Sequence, residues 1–150
     1  MAKWGVTADK GAASVQTVLG LTAAASNMRR AKVYDWTMGC SASPADNAFI
    51  HIAQRCTTAA TGATQTPNAL DAADTLASTI VAKGTVTVDG ALTAAAFLLW
   101  KALNQRATFR WVAAPYGELI IPATASNGIV LGVSVATTTT FDADAQYDEQ

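Results

Sequence analysis

The chain has 150 residues, enough for one domain with a core of its own. Its formal net charge is −1 and only 14% of its residues are charged, against roughly 25% in an average soluble domain, so bulk electrostatics favours neither nucleic acid nor acidic partners. Hydrophobic residues make up 51%, yet no run approaches the ~20 apolar residues of a membrane-spanning helix and residues 1–10 lack the apolar centre of a secretion signal, so the expectation is a soluble chain made in a cytosol.

Residues 1–32 show no clean period. Val15, Val18, Leu19 and Thr22 have helical spacing, but Gly11 and Gly20 interrupt it. The expectation is an N-terminal arm that orders on contact. Trp4, near its tip, either anchors in a partner's pocket or folds back onto its own domain. The arm is basic: Lys3, Lys10, Arg29, Arg30 and Lys32 stand against Asp9 alone.

Residues 32–40 alternate, with Tyr34, Trp36, Met38 and Cys40 on one face and Val33, Asp35, Thr37 and Gly39 on the other. Residues 43–47, SPADN, read as a turn, and residues 48–58 as the returning strand of a hairpin. Residues 59–69 read as a loop. In residues 70–83, Leu70, Ala73, Leu76, Ala77 and Ile80 follow helical spacing, so a short helix is expected there despite β-branched Thr79, Ile80 and Val81. Residues 85–88 read as a strand and Asp89-Gly90 as a tight turn. Residues 92–103 suit helix or strand, and the strand-rich surroundings favour a strand from about Phe97.

Residues 103–135 read as three strands of an antiparallel meander. In the first, Ala107, Phe109, Trp111 and Ala113 face the core, and Arg106, Thr108, Arg110 and Val112 face away. Ala114, Pro115, Tyr116 and Gly117 form a turn in which proline fixes φ and glycine supplies φ > 0. Residues 118–121 form a short strand stopped by Pro122, and Ser126-Asn127-Gly128 is a second turn with a hairpin signature. Ile129, Leu131, Val133 and Val135 then alternate. In the tail, Thr139, Phe141, Ala143, Ala145 and Tyr147 share one side and Asp142, Asp144, Gln146 and Asp148 the other, as in an edge or arm strand with an acidic outer face.

Eight or so short strands at this spacing predict an all-β antiparallel β-sandwich or jelly roll, with at most one or two short helices and extended terminal arms. The expected divisions are an arm over 1–32, a β-sandwich domain over 33–136, and a C-terminal strand or arm over 137–150.

The sequence offers little chemistry. His51 is the only histidine, and no Gly-x-Ser-x-Gly elbow or phosphate-cradling glycine loop is present. Cys40 and Cys56 are the only cysteines; with one histidine they do not make a structural zinc site, and hairpin register holds them beyond bridging distance. Asp71 and Asp74 read as helix-start or turn residues. Arg106 and Arg110, near Trp100 and Trp111, suit either a stacking platform for single-stranded nucleic acid or, the favoured reading, a contact with another subunit. No catalytic residue, cofactor or metal ligand is therefore assigned, and the chain is read as not an enzyme.

Residues 104–111, NQRATFRW, lie in a longer block over 102–127, ALNQRATFRWVAAPYGELIIPATASN. Together with residues 43–55, SPADNAFIHIAQR, this block resembles a family of small virion proteins of tailed bacteriophages. These are the capsid decoration or cement proteins, with a jelly-roll-like sandwich. The likeness runs from about residue 33 to residue 135, and the terminal segments depart from it. It implies a virion structural protein, without catalytic residues, that is made in the bacterial cytoplasm and sits on the capsid surface. Its partners would be the major capsid protein and its own copies, as a homotrimer, with no nucleic acid and no membrane. The candidate interface residues are Trp4, Arg29, Arg30, Arg106, Arg110, Asp142, Asp144 and Asp148. The alternative is a carbohydrate- or receptor-binding β-sandwich module of a phage tail or fibre, which needs exposed aromatics clustered at loop tips, such as Tyr116 with Trp100.

Overall fold

A computed structural model describes residues 2–150 except Asn27, Ser43 and Thr75. Ser43 opens the expected turn at 43–47 and Thr75 falls within the expected helix, so both expectations lie partly outside the described residues. Twelve strands follow in order: β1 (Ala2–Asp9), β2 (Val15–Ala23), β3 (Ala31–Cys40), β4 (Ala48–Cys56), β5 (Thr61–Gln65), β6 (Asn68–Ala69), β7 (Ile80–Val88), β8 (Leu92–Asn104), β9 (Phe109–Val112), β10 (Leu119–Ile121), β11 (Gly128–Thr137) and β12 (Phe141–Glu149). Every pairing among them is antiparallel, and they build two sheets packed face to face. The first runs β10, β3, β12, β1, β6, with β9 beside β10 on the same edge of β3. The second runs β5, β7, β2, β11, β4, β8.

The pairings are nested. Ala2 faces Glu149, Leu19 faces Leu131, Val33 faces Leu119, Ile52 faces Trp100 and Thr64 faces Lys83. The chain is doubled back on itself as one long ribbon, and the ribbon is rolled so that successive strand pairs fall into alternate sheets. That winding gives the β-sandwich a jelly-roll order. The hairpin partners β5 and β7, with short β6, extend both sheets at the far edge.

The core lies between the sheets. Val33, Trp36, Met38, Phe141 and Tyr147 from the first sheet meet Leu19, Leu21, Ile129, Leu131 and Val133 from the second, all fully buried. Trp36 meets Phe109 edge to face at 5.1 Å. Period-two alternation directs these residues inward, as it does in β12 and β9. In β3 the alternation breaks. Tyr34 has no partner on β12 between the Gln146–Asp35 and Tyr147–Val33 pairs. This bulge puts Val33 on the buried side with Trp36 and Met38, which corrects the expected face. At a second bulge Gly132 pairs with Thr17, and an added Cβ there would stand 2.1 Å from the Gln16 carbonyl oxygen, so only glycine fits.

Several expectations are overturned. Residues 1–32 are not an arm: β1 and β2 lie inside the two sheets, and Trp4 is 4% exposed in the core. The tail is not an edge or arm, because β12 lies between β3 and β1. No helix forms among the described residues of 70–83. Asp71 and Asp74 hold turns there, through Ala73 N–H to Asp71 Oδ1 at 2.9 Å and Leu76 N–H to Asp74 Oδ1 at 3.2 Å, and Ile80 already begins β7. Leu70 and Leu76, two of the residues that carried the helical spacing, are about half exposed. The expected loop at 59–69 contains β5 and β6. The meander at 103–135 is divided: β9 and β10 both pair with β3, while β11 belongs to the other sheet. Likewise β4 is not the hairpin partner of β3, since the two lie in different sheets.

Candidate interaction surface

Two outward faces and one turn carry the exposed chemistry. The outer face of the first sheet is polar and arranged in rows across β1, β12 and β3. Lys3 and Lys32 flank Asp148, and the Lys3 ammonium lies 5.7 Å above the Tyr34 ring. Two rows further on, past Gly5, Gln146 and Asp35, stand Thr7, Asp144, Thr37 and Arg110 side by side. Asp9 and Asp142 close the far end. The basic and acidic chain ends thus meet within one subunit, because β1 and β12 are paired along their whole length.

Arg110 grips Asp35 with two bonds, Nε to Oδ1 at 3.0 Å and Nη2 to Oδ2 at 2.5 Å. The guanidinium side chain is 65% exposed, so solvent screens this pair and its contribution is small. Burial pushes the Asp144 carboxyl above its ordinary value, repulsion from Asp35 adds to this, and Arg110 opposes it. Burial likewise raises Asp148, with Lys32 opposing and Glu118 adding. Asp142, Asp144 and Asp148 therefore belong to the middle of a sheet face, not to a free tail.

Of the other expected interface residues, Arg30 and Arg106 are exposed and Arg29 is half-buried. Arg29 lines an open depression of about 600 Å³ with Ala24, Ser26, Met28, Ala77, Ser78 and Thr79. Of the three hydroxyls there, that of Ser78 is fully engaged: it donates to Glu149, meets the Tyr147 hydroxyl at 2.7 Å and accepts from Ile80 N–H at 3.1 Å. It is a structural node. Arg106 stands in the turn after β8, so it does not share a strand with Arg110, and Trp100 lies in the opposite sheet from Arg110. The stacking platform is not assembled.

The second sheet ends in β8, a 13-residue strand that pairs with β4 alone. Between Thr93 and Asn104 near its ends, this strand is apolar apart from Lys101. Phe97 and Trp100, 40% and 51% exposed, touch edge to face at 4.6 Å. Trp100 lies across from Ile52, which is fully buried although it does not belong to the inter-sheet core. Residues 93–96 bulge away from β4, and Ala95 takes a φ of 57°. Tyr116, 98% exposed, projects from the turn between β9 and β10, and Phe97, not Tyr116, is the ring partner of Trp100.

The sequence reading missed three polar anchors, Lys10 and Glu149 buried and Asp89 half-buried. The Lys10 ammonium, 1% exposed, donates to the carbonyls of Gly11, Ala13, Thr137 and Thr139 at 2.5–3.2 Å. The Asp89 carboxylate accepts from Gln16 N–H at 2.9 Å and Thr17 N–H at 2.8 Å. Glu149, 3% exposed, accepts from Ser78, from Thr79 N–H at 3.0 Å and from the Thr79 hydroxyl at 2.9 Å. Only proximity in the fold reveals them. Among the described residues no group of three or more His, Cys, Asp or Glu could hold a metal ion.

Comparison with protein-family models, with curated proteins and with solved structures gives no match.

Proposed function

We propose that the chain is a non-enzymatic structural protein of a tailed-phage virion, which decorates the capsid and stiffens it by binding the major capsid protein. The resemblance over residues 102–127 and 43–55 and the sandwich fold both support this reading. The observation that carries it is the open edge of β8, with its exposed Phe97–Trp100 pair and a single charge. A long, mostly apolar edge invites pairing with another chain; the bulge at 93–96 and Lys101 blunt it in part, and the Phe97–Trp100 rings stay uncovered. On a capsid surface the neighbouring protein supplies the cover.

The magnitude bears on stoichiometry. The exposed parts of the two rings amount to roughly 200 Å². Covering them contributes ~5 kcal/mol at ~25 cal/mol per Å². That only offsets the ~4–15 kcal/mol that association costs in lost freedom. A homotrimer presents the contact three times on one rigid body, which raises affinity through effective concentration without new contacts. Self-association as a trimer on the capsid lattice is therefore part of the proposal.

The test is occupancy on heads stripped of this protein. Wild type should bind to saturation, and Trp100→Asp should lose most of the binding while keeping its fold. A wild-type protein with no affinity for heads would refute the reading. The exposed ring pair also suits a sugar face, as a carbohydrate- or receptor-binding tail module would use it. Binding to glycans with none to heads would select that alternative.

A further inference from the structure

The turn between β9 and β10 has an unusual build. Gly117 N–H donates to the Ala114 carbonyl at 2.8 Å, which closes a four-residue turn with Pro115 second and Tyr116 third. Tyr116 has a φ of 65°, and no described glycine has a positive φ. Proline second and a left-handed residue third is the pattern of a type II turn, whose third position calls for glycine. Here the glycine comes one residue late, which corrects the expectation that Gly117 supplies the positive φ. Gly117 has a different constraint: a Cβ there would lie 3.1 Å from the Ala114 carbonyl oxygen.

A tyrosine in this backbone conformation is strained, and nothing within the subunit repays it. The side chain is 98% exposed, and no described residue hydrogen-bonds its hydroxyl or stacks on its ring. Its surroundings are apolar as well. Val112 is 57% exposed, and Ala114 and Pro115 are exposed too. The base of the turn is held, because Ala113 N–H donates to the Tyr34 carbonyl at 2.8 Å and Pro115 fixes its own φ. Strained residues that persist at exposed tips are characteristic of contact sites.

We propose that this turn is a preformed anchor, whose Tyr116 ring enters an apolar pocket on the capsid protein with a polar group at its rim for the hydroxyl. The inference rests on the capsid-decoration reading and names the contact within it. A convex, rigid, aromatic tip loses little conformational freedom on binding, which is why tyrosine recurs among the residues that dominate interfaces. A protein pocket is favoured over a sugar because the tip is a single projecting ring with no described ring partner, and exposed Ala114 and Pro115 precede it.

The experiment compares full-length wild type, Tyr116→Gly and Tyr116→Asn, since glycine and asparagine both accept the left-handed conformation. Binding to stripped heads of the parent phage and thermal melting are measured on each. Both variants should melt at or above the wild-type temperature and bind heads at least ~30-fold more weakly, the loss expected for a dominant interface residue. Loss of binding without loss of stability separates an anchor from a folding role. Wild-type binding retained by both variants would overturn the anchor while leaving the decoration reading intact. Wild type that fails to bind heads overturns both. Variants that keep head binding but lose binding to a glycan would overturn the protein pocket in favour of a sugar.

Discussion

His51 should make the sandwich acid-sensitive, and its position tells how. The ring is fully buried between the sheets, 5.9 Å from the Phe109 ring and 6.0 Å from that of Phe141. Neither ring nitrogen has a hydrogen-bond partner in the protein. The charged group nearest in the ladder is Lys101, directly opposite on β8, and Val133 faces His51 from β11. Burial pushes the imidazole below its ordinary value of 6.5. The unfolded chain therefore holds more protons than the folded one between the folded value and 6.5. Stability is intact above that window and is lost as pH falls through it, by at most ~1.4 kcal/mol per pH unit for one proton. At this chain length that is about 3–5 °C of melting temperature per pH unit. Asp144 and Asp148 act in the opposite sense: their raised values leave the folded state holding more protons, so acid favours it. A His51→Phe variant shares those carboxylates, so subtracting one stability curve from the other isolates the histidine. Urea titrations of both proteins from pH 8 to 4.5 should show the variant gaining on wild type below about pH 6.5. A difference that stays flat across the range would refute the argument.

Trp36→Ala should cost ~3–5 kcal/mol in urea denaturation, as expected for emptying a fully buried site; Trp111→Ala, whose side chain is only half-buried, should cost clearly less. Cys40 and Cys56 lie in different sheets and are free, so mass spectrometry of unreduced, alkylated protein should find two modified thiols under denaturing conditions. In the native state Cys56 should react far more slowly than Cys40, because it is buried and its thiol is pushed up to about 11. Lys10→Met should cost at least ~2 kcal/mol by taking the ammonium away from the Gly11, Thr137 and Thr139 carbonyls, that of Ala13 keeping Val15 N–H, and hydrogen exchange should speed up around residues 137–141.

The strands were legible where the signal is local. Phe141, Ala143, Ala145 and Tyr147 alternate because each inward position meets the same core, and that period is visible in the sequence. β5 was not legible, since Thr61–Gln65 has no buried face to mark. The partners of strands were not legible either. Asn127-Gly128 and Asp89-Gly90 look like hairpin turns, yet the strands on either side of each do not pair with one another. Such dipeptides specify a local reversal, while rolling of the ribbon decides which strand the next one meets. Trp4 misled for a related reason: nearness to a chain end says nothing of burial once β1 is flanked by β12 and β6. On the surface, Arg110 could be read as exposed but not as ion-paired, because Asp35 lies 75 residues away in sequence.

What supplies the missing pairing information is a set of charges withdrawn from the surface, Lys10 and Glu149 fully and Asp89 in part. Each holds backbone far away in sequence: Lys10 reaches across 127 and 129 residues to Thr137 and Thr139, Asp89 across 73 and 72 to Gln16 and Thr17, and Glu149 across 70 to Thr79. Apolar contacts between Val, Leu and Ala are forgiving, since many registers bury comparable area. A buried charge is not, because only one register brings it the donors or acceptors that offset its desolvation. Lys10 fixes where β1 ends against the loop that begins β12, and those strands form the centre of the first sheet. With an apolar side chain at position 10, that loop could slip by one residue against β1. A one-residue slip would turn Phe141, Ala143, Ala145 and Tyr147 out of the core and put Asp142, Asp144 and Asp148 into it.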